Sequence, residues 1–477
     1  MERKGTKVNF LYNMVYQVAL MILPLITMPY VSRVLGAEGI GTYSYTYSIA
    51  QYFLLFGMLG VENYGNRSIA RVRDDEQKRS AVFSSIYTLQ FIIASISVIV
   101  YVLYIAMFSG NKLYAFLQVF YVLSGVFDIN WLFFGMEDFK LTVTRKVLVK
   151  IINVVLIFAF VKTSADLWKY LLVLSLGYFI AQSSMWLFAS KYIKFHFTRI
   201  NEAFKHFKDI LILFIPLVAT SIYRMMDKVM LGNFSTMQQV GFYENSEKLI
   251  NVCLCVISAF GAVMMPRMSN LYARSKYDEC RDLFVRSMEI AIFIGCAITF
   301  GISSIANDFI PIFYGTGYDA CVSITIMLSA TVLFITWACI VRTLYLIPTE
   351  KNKVYIYSVF LGAGVNVIIN WALIPRLASV GAAVGTIIAE VTVYQTIMVR
   401  KELDVSQCMK KSVPFIIFGS IMFLVVKILP FEVGGNIGRL IAKIFIGAMV
   451  YLALSAIYFL KTKNKLFYDV IGKLMKI

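Results

Sequence analysis

Residues 23–53 read LPLITMPYVSRVLGAEGIGTYSYTYSIAQYF. One apolar run closes at Ser32-Arg33-Val34-Leu35-Gly36, a few small and polar residues follow, and a second run opens at Ile40-Gly41-Thr42-Tyr43. The first reaches back to residue 9 and the second on to residue 65, so each holds the roughly 20 apolar residues that a helix needs to cross a hydrocarbon core. A turn this short makes the two helices antiparallel neighbours. The same reading repeats along the chain, near 81–108, 113–136, 147–162, 169–190, 209–232, 240–265, 286–310, 318–346, 354–374, 380–400, 412–430 and 437–460. About fourteen spans result, of which the fifth is the shortest and carries Lys150 near its start.

Composition agrees. Of 477 residues, 59% are apolar and 15% charged, against about 45–50% and about 25% in a soluble domain. Two histidines argue against a His-based metal site or a Ser-His hydrolase. The seven cysteines are odd in number, lie mostly in apolar runs and form no C-x-x-C pair, so they read as small apolar fillers. The first run is too long for a cleaved signal and is expected to stay as a span.

The formal net charge is +18, and its placement decides its meaning. With the N-terminus in the cytoplasm, 32 of the 45 Lys and Arg fall on the inner side and seven on the outer. That is a positive-inside distribution with both termini cytoplasmic. Basic charge here sets topology and meets anionic lipid; a nucleic-acid partner is not expected. The inner loop 191–208 carries Phe197, Ile200, Phe204 and Phe207 at helical spacing among Lys194, Arg199, Lys205 and Lys208. It reads as an amphipathic helix in the membrane interface, connecting two sets of six spans.

The opening motif has a second copy. Val229-Met230-Leu231-Gly232 ends the seventh span and Val240-Gly241-Phe242-Tyr243 opens the eighth, with Gly41 and Gly241 two hundred residues apart. Six intervening spans is an even number, so both copies cross the membrane in the same direction. The fold class expected is an all-α polytopic membrane protein with two six-helix lobes in parallel pseudo-two-fold repeat and a cavity where they meet. The divisions are 1–190 for the first lobe, 191–208 for the linker, 209–400 for the second lobe, and 401–477 for two additional helices and a basic cytoplasmic tail.

Ionisable groups at bilayer depth cost at least about 2.5–3.5 kcal/mol and normally face a partner or a wet cavity. Arg224, Asp227 and Lys228 share one face of span seven. Glu244, Glu247 and Lys248 repeat that spacing on span eight, so the two sets could staple the hairpin. Alternatively, Arg224 and Lys228 face the cavity and attract phosphate oxygens. Arg33, Arg342 and Asp128 are further candidates, with Trp131 either packed or offering a sugar-stacking face. Glu62 and Glu390 are candidates for ion coupling. No catalytic, metal or cofactor site is read: there is no G-x-x-x-x-G-K-[ST], no H-E-x-x-H, and no strand context for the glycines near Gly41.

Four stretches carry a resemblance. They are Leu23 to Arg71, Asp128-Ile129-Asn130-Trp131 through Glu137, Tyr223-Arg224-Met225-Met226-Asp227-Lys228 through Tyr243, and Ile347-Pro348 through Asn366, Asn370 and Gly381 to Thr386. In order and spacing they resemble bacterial O-antigen and capsule repeat-unit flippases, a branch of the MATE/MOP-like exporters that also holds the lipid II flippase. The resemblance implies a V-shaped cavity, alternating access and residence in the bacterial inner membrane. It implies a polyprenyl-diphosphate-linked oligosaccharide as cargo, with a polysaccharide polymerase and glycosyltransferases as partners. A MATE-type multidrug or cation antiporter is the alternative; it would favour an acidic cavity, whereas Arg and Lys stand beside the acids here.

Overall fold

The structure, a computed structural model, describes residues 2–390, 392–400, 402–428 and 435–462. Among the described residues ten helices are long and apolar enough to cross a membrane, and the chain is a multi-pass helical membrane protein. The expected spans 9–32 and 40–65 fall on α1 (Glu2–Met58), whose two arms meet at Gly36, with the second continued by α2 (Val61–Arg71). The expected span 147–162 falls on α7 (Phe139–Phe160). Expected span 380–400 falls on the end of α13 (Asn352–Ile388) and on α14 (Thr392–Val399). The expected basic tail from 463 onward lies outside the described residues.

Gly36 sits at φ 69°, a conformation that glycine adopts without the Cβ penalty other residues meet. The sequence reads a turn here; the chain needs one residue to redirect it.

The chain forms two compact units, Met1–Gly241 and Phe242–Ile477. The first contains α3 (Glu76–Phe108), α4 (Lys112–Leu117), α5 (Val119–Phe127), α6 (Asn130–Gly135), α8 (Leu167–Ser183) and α9 (Phe207–Phe234). The division falls inside α10 (Met237–Ala273), after the seventh span. Helix α9 packs on α1: Tyr45 donates to Asn233 Oδ1 at 2.7 Å, and a Cβ on Gly232 would sit 2.1 Å from the Tyr45 ring.

Two of the three buried apolar clusters among this unit's described residues stand toward its ends. One joins Phe83, Ile86, Trp131, Phe133 and Met185; the other joins Leu35, Ile40, Ile157, Val161 and Leu171. Trp131 is fully buried, stacked on Phe83 at 5.0 Å between ring centres, and its Nε1 donates to Gln90 Oε1 at 3.0 Å. Gln90 Nε2 donates in turn to the carbonyls of Gly125 and Asp128. Of the two readings open for Trp131, the geometry is the packed one. Gln90→Leu strands the buried indole N–H and is expected to cost about 1–3 kcal/mol. Thermal unfolding of the detergent-solubilised chain checks it, and an unmoved midpoint counts against this account.

The linker is not the continuous amphipathic helix that its pattern suggests. Residues 193–199 run extended along α3, and helix resumes only at Ile200. Lys194 N–H donates to Ser80 Oγ, His196 N–H to Ser84 Oγ and Thr198 N–H to Thr88 Oγ1, at 3.0, 3.3 and 3.2 Å. The reason is a match of periods. Four helical residues rise about 6 Å and two extended residues about 6.6 Å, so alternate N–H groups each meet a hydroxyl. Phe195 fastens the strap among Tyr87, Trp186 and Phe83.

The second unit is built on α11 (Tyr277–Tyr314), which packs against α12 (Asp319–Val341), α15 (Val405–Ile428) and α16 (Gly435–Thr462). Its core gathers Met288, Ile292, Phe415, Met422, Tyr451 and Phe459. Helix α13 folds back at Ala378, and a Cβ on Gly381 or Gly385 would strike Leu373 O at 2.7 Å or Asn370 Oδ1 at 2.1 Å. The close approach at these two glycines is therefore between the arms of one folded helix.

Candidate functional site

Between the two end clusters of the first unit lies a cavity of about 540 Å³. Its wall is built from α1, α2, α5, α7 and α8, and its chemistry divides along its length.

At one end stand Glu62, Asp128, Arg145 and Lys146. The fourth span breaks here because the Asp128 carboxylate caps the chain that follows. Oδ1 accepts from Asn130 N–H at 2.9 Å and Asn130 Nδ2 at 2.7 Å, and Oδ2 accepts from Gln182 Nε2 at 3.0 Å. Arg145 completes the network, donating from Nη2 to Asn130 Oδ1 at 2.9 Å and from Nη1 to Gln182 Oε1 and the Ala181 carbonyl. Acid and base thus share two amide partners, and few hydrogen-bonding positions on either are left open to a ligand. Lys146 lies over the Phe134 ring at 5.2 Å.

Further along, α7 contributes Lys150 and Asn153, one and two turns beyond Lys146. The same cavity is lined by a run of five tyrosines in successive ring contact. Tyr170 meets Tyr43 edge-on at 5.1 Å, and Tyr43 stacks with Tyr47 at 5.5 Å. Tyr47 meets Tyr121 at 4.9 Å, and Tyr121 meets Tyr178 at 4.8 Å. Aromatic faces beside hydroxyls and amides suit the mixed apolar and polar surface of a sugar ring.

Across the second arm of α1 a different cavity opens, about 710 Å³ and mostly apolar, walled by Tyr52, Phe56, Phe108, Val218, Ile222 and Met226. Tyr43 and Tyr47 face the first cavity, while Tyr45 and Tyr52 face the second.

Of the candidate residues, this geometry brings together Glu62 and Asp128 on one wall. Trp131 is packed beside Asn130, outside that lining. Arg33 is exposed near the Gly36 bend; on α9, Arg224 is exposed, Lys228 half-buried and Asp227 buried, and none of the four lines the cavity. In the second unit Arg342 begins a π-helical turn and lies over the Tyr355 ring at 4.4 Å. Glu390 is buried just beyond α13, and Glu244 pairs with Lys248 at 2.8 Å on its own helix.

Among the site residues that sequence reading missed are Arg145 and Lys146. They precede the apolar window at 147 and read as loop charges. The spacing of Lys146, Lys150, Asn153 and Ile157 on one helical stripe was the available signal.

Residues 7–272, more than half of the chain, match the family model described as polysaccharide biosynthesis protein. A Shigella dysenteriae protein named for O-antigen transport is 24% identical over 401 residues, covering 81% of this chain and 98% of that protein. An Escherichia coli K12 protein named likewise is 22% identical over 396 residues, covering 80% and 93%. Among solved structures, the lipid II flippase MurJ in an inward closed conformation superposes with a TM-score of 0.73 at 15% identity, over 94% of this chain and 99% of that one. An inward-facing multidrug resistance MATE transporter gives 0.56 at 14% identity, over 85% and 99%. The fold is that of the MurJ and MATE carriers, and the chain belongs to the polysaccharide biosynthesis protein family.

Proposed function

We propose that this protein flips a polyprenyl-diphosphate-linked oligosaccharide from the cytoplasmic to the outer leaflet of the bacterial inner membrane, by alternating access between two six-helix lobes. The single observation that carries the reading is the first-unit cavity, which holds three cations of one membrane helix together with a wall of tyrosines. The apolar cavity on the far side of the same α1 arm suits a lipid chain, so a head group and a tail have separate surroundings. Family membership and the two relatives named for O-antigen transport support the cargo class.

In this reading Arg224, Lys228 and Arg33 of the first unit are further cations for the diphosphate, with Asp227 beside them on α9; Arg342 of the second unit is a separate candidate, and Glu62 and Glu390 serve ion coupling. Both termini are cytoplasmic; glycosyltransferases supply the cargo and a polymerase consumes it. Direction has a physical source. Each negative charge leaving a negative interior gains about 2.3 kcal/mol per 100 mV, and the diphosphate carries more than one. A multidrug antiporter is the second reading, favoured by the MATE likeness of fold and by Glu62 and Asp128. The cations of α7 count against it.

Deleting the protein is expected to leave lipid-linked repeat units on the cytoplasmic leaflet, measured by their protection from an impermeant glycosidase or lectin in intact spheroplasts. An unchanged leaflet distribution, in cells without a substitute carrier, overturns the proposal.

A further inference from the structure

The cavity of the first unit holds one cation whose circumstances differ from the others. Arg145 is engaged by Asn130, Gln182 and the Ala181 carbonyl, and Lys146 rests on Phe134. Lys150 lines the same cavity with no ion-pair partner among the described residues, half-buried on a membrane helix, with Asn153 one turn away and the tyrosine wall in the same lining. A lysine in that position is costly to insert, and an anionic ligand offsets the cost.

We infer that Lys150, Asn153 and the tyrosine wall form a subsite for an acidic sugar of the cargo, with Lys150 taking its carboxylate. The inference rests on the chain being a carrier of a lipid-linked saccharide and adds which saccharides it selects. Three features point to this ligand. Lys150 offers a single charge, which matches one carboxylate better than a diphosphate. A space of about 540 Å³ lies within the range of pockets for small organic molecules, about 300–1,000 Å³, and far exceeds what a bare ion fills. Five tyrosine rings supply stacking faces that an inorganic anion does not use. A charge-assisted hydrogen bond is roughly twice as strong as a neutral one, so the carboxylate becomes a selectivity handle.

The test uses the purified full-length protein and calorimetric titration with methyl glycosides of glucuronic and galacturonic acid, against those of glucose and galactose. The wild type is expected to bind at least one uronide about tenfold more tightly than its neutral counterpart. Lys150→Met is expected to bring the pair to the same affinity, and Lys150→Arg to keep the preference. Thermal unfolding checks that both variants are folded, which is expected because Lys150→Met removes an intramembrane charge with no ion-pair partner.

Equal affinities in the wild type, no binding of any glycoside, or a preference that survives Lys150→Met overturns the inference. Chloride that displaces the uronide completely, with no neutral glycoside bound, overturns it in favour of a bare-ion site. The leaflet measurement stands apart: a chain that passes it and fails here remains a flippase without acid-sugar selection, and a chain that fails it loses the broader reading.

Discussion

Gly41→Ala and Gly241→Ala are each expected to lower transport about fivefold or more while leaving the protein inserted in the membrane. A Cβ on Gly41 would lie 1.7 Å from the Met237 carbonyl oxygen and 2.8 Å from Gly241 N. A Cβ on Gly241 would lie 1.8 Å from the Ala37 carbonyl oxygen. The pairs 37 with 241 and 41 with 237 correspond under a shift of two hundred residues. Residues 37–41 and 237–241, both in the first unit, therefore lie backbone to backbone, each glycine against the other segment's first turn. Small residues permit such crossings in membranes, where close packing rather than the hydrophobic effect holds helices together.

The obstructing atoms are main-chain carbonyls, so no side-chain rotation relieves the clash and the helices must separate. Overpacking of this kind costs about 1–3 kcal/mol, which is roughly 5- to 150-fold in the population of a conformation. In a carrier that must visit this arrangement, that shift appears as lost transport. The local symmetry adds a sharper requirement: the two variants should be impaired to a similar degree. Gly301→Ala is the control, since nothing lies within 4 Å of a Cβ there. Normal leaflet distribution of lipid-linked cargo in both glycine variants, at wild-type protein levels, removes this crossing from the transport cycle.

The same glycines show what a sequence can disclose. Gly41 and Gly241 are legible because a backbone crossing admits no other residue, so the requirement is written at the position itself. The Leu-Gly half of the motif is less faithful: Gly36 bends α1, whereas Gly232 is an interior helical residue under the Tyr45 ring. Spans are legible because lipid imposes one demand on about twenty consecutive residues. That criterion also hid the site, since a window chosen for apolarity stops at charges and so excluded Arg145 and Lys146. The partners of Arg145, Asn130 and Gln182, stand on other helices, and no local pattern announces them. Ser80, Ser84 and Thr88 likewise lie one turn apart in plain view, but their role depends on an extended chain laid against them.

Asp308→Asn is expected to destabilise the second unit by about 3–5 kcal/mol, the cost of removing one partner from a buried charge cluster. Asp308 is 5% exposed and holds two cations of α16, Arg439 at 2.7 Å and Lys443 at 2.5 Å. Nineteen residues earlier on α11, Glu289 holds Lys411 of α15 at 3.1 Å. Nineteen residues rise about 28 Å, close to the hydrocarbon thickness of about 30 Å. The two added helices are therefore tied to α11 at heights one bilayer apart, and between the ties Gly419 receives the Phe300 ring and Tyr451 donates to the Phe293 carbonyl. This is a fixed attachment, so the cost should appear as stability.

Arg439 is 41% exposed and can turn to water, whereas Lys443 is 17% exposed and has less recourse, which places the effect toward the lower end of the range. Replacing the whole cluster with apolar residues, Asp308→Leu with Arg439→Leu and Lys443→Met, should recover most of the loss, because no buried charge is then stranded. Unfolding midpoints of the detergent-solubilised full chain measure both. A single variant that unfolds like the wild type would show that the helices are held by apolar packing alone, and a triple variant no better than the single would show that stranded charge is not the source of the loss.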